Sequence, residues 1–152
     1  MIDKCLAETR LHIHRVQHYL NKFIKDLIYR GEIHDASKLE EPELSGFAAN
    51  TGKLEKVEFG SPEYTVLLKE LEPILVHHYS RNRHHPQHFP NNSVAEMTLI
   101  DLLEMLADWK ASSLRVKGGN IRKSIETNGQ RFEMSPQLVK IFENTAREYF
   151  NE

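Results

Sequence analysis

The chain has 152 residues, about one domain's worth, and a chain of that length buries roughly two-thirds of the surface its unfolded form would expose. Its 20 basic and 22 acidic residues leave a net charge of -2, without the global basic footprint that dominates non-specific nucleic-acid binding. Cys5 is the only cysteine, so no internal disulfide forms, and no stretch approaches the roughly 20 apolar residues of a membrane span. Charged residues at Asp3, Lys4, Glu8 and Arg10 interrupt what a signal peptide would need. The expectation is one cytoplasmic domain, spanning residues 1–152, with no membrane partner and no evident sign of polynucleotide binding.

In chain order, Ile13, Val16, Leu20, Phe23, Ile24 and Leu27 recur at spacings of three and four, which predicts a helix over residues 3–30 stopped at Gly31. The same period turns His12 toward the apolar stripe and leaves His14 and His18 facing water. A packed structural histidine is the plain reading of His12, against a ligand. His34-Asp35-Ala36-Ser37-Lys38 follows. An imidazole and a carboxylate side by side suit one divalent ion. Glu41-Pro42-Glu43 then predicts a short helix ending at Asn50-Thr51-Gly52, with a loop over residues 49–60.

Ser61 as N-cap and Pro62 at the first helical position predict a helix to Tyr79, kinked at Pro73, with His78 inward and His77 beside it. Five of the nine histidines fall between His77 and His88. A solvated loop would explain them plainly, but two His-His pairs around Arg81 and Arg83 also suit a site that handles an ion and a phosphate together. Ser93 and Glu96 read as a capping box opening a helix to Lys117, stopped by Gly118-Gly119. Leu99, Leu102, Leu103, Leu106 and Trp109 cover most of its circumference, which predicts a central position. On such a helix the stripe Asp101, Glu104, Asp108, continued by Arg115, should be paired or bind a cation, because an unpaired buried carboxylate is costly. Asp108 is the preferred ligand. Met97 to Met105 reads as core, with a dimer surface as the other choice.

A helical turn over residues 120–128 before Gly129, and a last helix opened by Ser135-Pro136 that buries Leu138, Ile141, Phe142 and Tyr149, complete the pattern. No strand period, P-loop or glycine-rich dinucleotide fingerprint occurs. The predicted class is all-α, about six helices around a central pair.

His12-x-x-Arg15-Val16 on a first helix, His34-Asp35-x-x-Lys38 after it and Ala107-Asp108 on a later helix give the chain an order that resembles the HD-domain metal-dependent phosphohydrolase superfamily. Asn82-x-His84-His85-Pro86 and Glu104-Met105-x-x-Asp108-Trp109 make it similar to an uncharacterised family of short HD-like proteins of bacteria and their phages. The resemblance implies an HD-like bundle in which His12, His34, Asp35 and Asp108 bind a divalent ion (Mn, Fe, Zn, Ni or Mg). His78 and His85 would hold a second ion or the substrate phosphate, with His77 and His84 as competing choices. Lys38 matches a lysine held near phosphate, where several HD nucleotidases have a glutamate, and Glu104 is the substitute proton carrier.

The expected function is therefore hydrolysis of a nucleotide or similar small phosphate ester, with Lys38, Arg81 or Arg115 offsetting charge on the phosphate. The alternative is a catalytically inactive HD-like module that binds a nucleotide or a protein partner. Substrate, metal and homo-oligomeric state stay open at this point.

Overall fold

The computed structural model describes residues 1–54, 61–115 and 119–151. Every regular element among them is helical. The chain divides into two compact units, Met1–His34 and Asp35–Glu152.

The first unit is one helix, α1 (Ile2–Ile33). It runs through Gly31, because one glycine inside an otherwise favourable helix costs only about 1 kcal/mol against alanine, and the next two residues continue the pattern. A lone helix buries no face of its own: no residue of α1 is buried, and His12, His14 and His18 are all exposed. The period places His12 on a different face from His14 and His18, but not in a core.

The second unit opens with a short 3-10 turn, Ala36–Leu39, followed by α2 (Glu43–Leu54). Asn50-Thr51-Gly52 does not end α2, so the expected loop begins later than residue 49; residues 55–60 lie outside the described residues. The stretch predicted as one kinked helix is two: α3 (Pro62–Glu70) and α4 (Glu72–Arg81), parted at Leu71. Pro73 is the cause. It lacks the N–H that a continuous helix would need and fits the first turn of a new one. Three single 3-10 turns then carry the chain from Pro86 to Glu96.

Helix α5 (Leu99–Ser113) starts later than the Ser93–Glu96 pair suggests. Its cap is Thr98, whose hydroxyl accepts from the Asp101 N–H at 3.2 Å while Asp101 Oδ2 accepts from the Thr98 N–H at 2.9 Å. Ser93 caps only the turn Val94–Glu96. The helix ends at Ser113; Lys117 and Gly118, expected at its end, lie outside the described residues. Asn120 caps α6 (Ile121–Arg131), which contains Gly129 instead of stopping before it, and Ser135 caps α7 (Pro136–Phe150).

The main core lies among α5, α6 and α7. Leu102, Met105 and Leu106 meet Ile121, Ile125, Phe142 and Ala146, closed by Met97 and Met134. Met97 and Met105 themselves are thus in the core. One face of α5 stays outside it, since Leu99 and Leu103 are exposed, as are Ile141 and Tyr149 on α7.

On the other side of the unit, α2 crosses α4 at Gly46. A Cβ there would come within 2.5 Å of Ile74 Cγ1 and 2.6 Å of Cδ1. Alanine would gain about 1 kcal/mol of helix propensity, but overpacking a fitted contact costs about 1–3 kcal/mol. Gly46→Ala should therefore lower the urea midpoint of unfolding; an unchanged or raised midpoint would show that Ile74 moves aside at no cost.

Candidate metal centre

Four side chains of the second unit converge on one point. Asp35, His78, His84 and His85 each offer one ligand atom, and those atoms all lie within 4.8 Å of one another. His78 Nε2 is 2.9 Å from His85 Nε2 and 3.3 Å from Asp35 Oδ1, and His84 Nε2 is 3.5 Å from the same oxygen. His78 and His84 are buried, Asp35 and His85 half-buried.

The backbone explains how they meet. Asp35 sits in the left-handed region, φ 56° and ψ 16°, at the N-cap of the 3-10 turn. Aspartate tolerates that conformation better than most residues. Lys38, three residues on, donates to Asp35 Oδ2 at 2.5 Å and leaves Oδ1 toward the imidazoles. His78 comes from the last turn of α4. His84 and His85 come from the bend after it, which is tied to α5 by Arg83: its Nε and Nη2 donate to Asp101 Oδ1 and Oδ2 at 3.3 and 3.1 Å. Asp101 is fully buried. Of the expected acidic stripe, then, Asp101 is a cap and an anchor.

Behind the converging atoms stands a second set of partners. Glu43, in the first turn of α2 and fully buried, takes His78 Nδ1 on Oε2 at 2.8 Å and His77 Nδ1 on Oε1 at 2.8 Å. Ser37 Oγ donates to Oε2 at 2.9 Å and itself accepts from Asn82 Nδ2 at 2.8 Å. His84 Nδ1 meets Glu104 Oε1 at 3.0 Å. A carboxylate accepts only, so each of these Nδ1 atoms carries the proton, and Nε2 of both His78 and His84 presents a lone pair. The Asn82 Nδ2 contact to His78 Nδ1 at 3.0 Å then joins two donors and is no bond; Asn82 donates instead to the His78 carbonyl at 2.8 Å.

Two imidazole lone pairs facing a carboxylate oxygen make a region that favours a cation.

Burial raises the Glu43 carboxyl, but hydrogen bonds from His77, His78 and Ser37 outweigh it and hold the group below the ordinary glutamate value. Burial, followed by the nearby Lys38 charge, lowers His78 despite its bond to Glu43. His85 is pushed down to about 3, first by burial and then by His84 and His78, against the smaller opposing effects of Asp108 and Asp35.

Of the residues expected at a site, the structure brings together Asp35, His78 and His85 with His84, which the sequence left as a competing choice, and keeps Lys38 on Asp35. Asp108 is half-buried on α5 and offers an oxygen within 4.8 Å of Asp35's. Glu104 stands behind His84. Arg81, in the last turn of α4, and Arg115, past the end of α5, are exposed. His12 and His34 belong to the first unit. Sequence reasoning missed Glu43 and Asn82: Glu43 looks like a helix-opening acid, and nothing local marks it as buried.

The His85 shift fixes a sign. The unfolded chain protonates this residue near its ordinary value of 6.5, the folded protein only near 3, so stability falls as pH drops through that window. In chelator-treated protein, wild type should lose about 1 kcal/mol per pH unit more than His85→Gln between pH 6 and 5. Urea unfolding at the two pH values measures this, and equal slopes would show that His85 protonates alike in both states.

No curated protein and no solved structure matches the chain. Residues 1–148 match a family described as a family of unknown function (DUF5662), and the chain belongs to that family.

Proposed function

We propose that the protein is a metal-dependent phosphohydrolase of the HD type, acting on a nucleotide or a similar small phosphate ester. The observation that carries the reading is the convergence of Asp35 Oδ1 with His78 and His84 Nε2, each imidazole backed by a carboxylate. The ion would be held by Asp35, His78, His84 and His85, with Asp108 in reach of the same place. When bound, a divalent ion supplies Lewis acidity and a water acidic enough to yield hydroxide near neutral pH.

The chain's own groups fit the remainder of such a reaction. Lys38 is half-exposed beside Asp35, so its ammonium can meet a phosphate oxygen at the edge of the cluster while it orients the carboxylate. Glu104 is bonded to His84, which favours a role in holding that ligand over the proton-carrying role the sequence suggests. Burial disfavours the charged form of His78 and His85, and a neutral imidazole is the form that binds metal.

A second reading has its own support. Arg81 and Arg115, the guanidinium groups expected at a phosphate, are exposed, as a module that binds a nucleotide or a protein without turnover would allow.

Metal content of the purified chain, with phosphate release from a nucleotide panel on the same sample with and without Mn, separates the two. Near-stoichiometric metal and phosphate release, both lost in Asp35→Ala with helical content kept, is the expected result. Metal without turnover across the panel favours the binding module. The resemblance also assigns His12 and His34 to the ion, and alanine variants of both belong in the same measurement.

A further inference from the structure

We propose that Glu43 is a positioning residue whose buried carboxylate turns His78 Nε2 toward the ion, and so sets metal affinity without touching the metal. The proposal rests on the metal-binding reading above. Glu43 is fully buried, yet it receives three donors from two elements: His77 and His78 from α4, and Ser37 from the turn that begins at Asp35. One carboxylate therefore registers both ligand-bearing segments, the Asp35 turn and the last turn of α4, against each other. Its place in the first turn of α2 favours negative charge through the helix dipole.

Shape alone would not suffice. Glutamine at this position keeps the volume but replaces one acceptor oxygen by an NH2 donor. If that NH2 faces His78 Nδ1, the imidazole must become the acceptor there and carry its proton on Nε2, the atom that should bind metal. If it faces His77 instead, one oxygen still accepts from His78 but the charge that strengthens the bond is gone. Either way the outer partner of a metal-binding imidazole is weakened, a change that typically costs about 10–100-fold in metal affinity. His77 shares the carboxylate from its other oxygen and is not among the converging ligands. Its loss should leave His78 in place.

The test has two readouts on the full chain. In metal-free wild type, nitrogen-15 NMR of the histidine rings should find His78 in its Nδ1–H tautomer; an Nε2–H tautomer overturns the proposal whether or not any variant folds. Titration with Co(II), followed by its visible absorption, should give Glu43→Gln an affinity about 10–100-fold below wild type with helical circular dichroism retained, while His77→Gln keeps wild-type affinity. A folded Glu43→Gln that binds Co(II) as tightly as wild type overturns the proposal, as does a His77→Gln loss equal to that of Glu43→Gln, which would mark the carboxylate as a general fold anchor. Failure of the metal reading looks different: wild type itself then takes up neither Co(II) nor Zn nor Mn.

Discussion

The constraint on which the second unit depends is a carboxylate with no access to water. Removing an ionised glutamate from solvent costs several kcal/mol even after relaxation, and Glu43 offsets that with three charge-assisted hydrogen bonds of about 1.5–3 kcal/mol each. The balance leaves little net stability. What it leaves is geometry: the two histidines and the serine have one arrangement that satisfies both oxygens, so α2, α4 and the Asp35 turn have one mutual register. Gly46 serves the same end from one turn further along α2, since a side chain there would hold Ile74 off and part the two helices. The polar and the steric contact thus act on one crossing.

Helix α5 shows how a core and a polar centre share one element. Leu102, Met105 and Leu106 face α6 and α7, while Asp101, Glu104 and Asp108 fall on another side at helical spacing. Asp101 and Glu104 have distinct tasks in the folded chain. Asp101 closes its own helix through Thr98 and holds Arg83, whose guanidinium also stacks 4.9 Å from the Phe89 ring. Glu104 holds His84, next in sequence to Arg83. Two neighbouring residues of the histidine bend are therefore fixed to α5 one turn apart, and the bend cannot swing without breaking both. That accounts for an ordered path through a stretch whose composition reads as loop.

These tethers also mark how far the sequence could be read. Signals that act within a few residues were legible: a break at Pro73, though read as a kink and not as two helices, the Ser135-Pro136 start of the last helix, and the all-α class from apolar period. Signals that compete within a short window were not. Ser93 and Thr98 both have an acid three residues later, and only the tertiary demand on Asp101 decides that Thr98 opens the long helix. Gly31 and Gly129 look like stops, yet each costs too little to end a helix whose neighbours favour it. At the site, His78, His85 and Asp35 could be named because imidazoles in pairs and a His-Asp step are uncommon. Glu43 could not, because its burial is imposed by α4, some 35 positions away in the chain. Long-range pairing leaves no periodic trace.

The Asp35 turn shows why a ligand set of this kind needs such support. A non-glycine residue in the left-handed region is strained by roughly 1 kcal/mol or more, and the strain falls on the residue whose carboxylate faces the imidazoles. Two interactions hold it there from opposite sides: Lys38 fixes Oδ2 from within the turn, and Ser37 ties the turn to Glu43. With Oδ2 committed, only Oδ1 is turned inward, so Asp35 serves as a single-oxygen donor among three nitrogens instead of a bidentate clamp. A carboxylate restricted in that way presents one oxygen to the imidazoles of His78 and His84. Lys38 on Oδ2 and the left-handed turn of the backbone together keep the aspartate to that single inward oxygen.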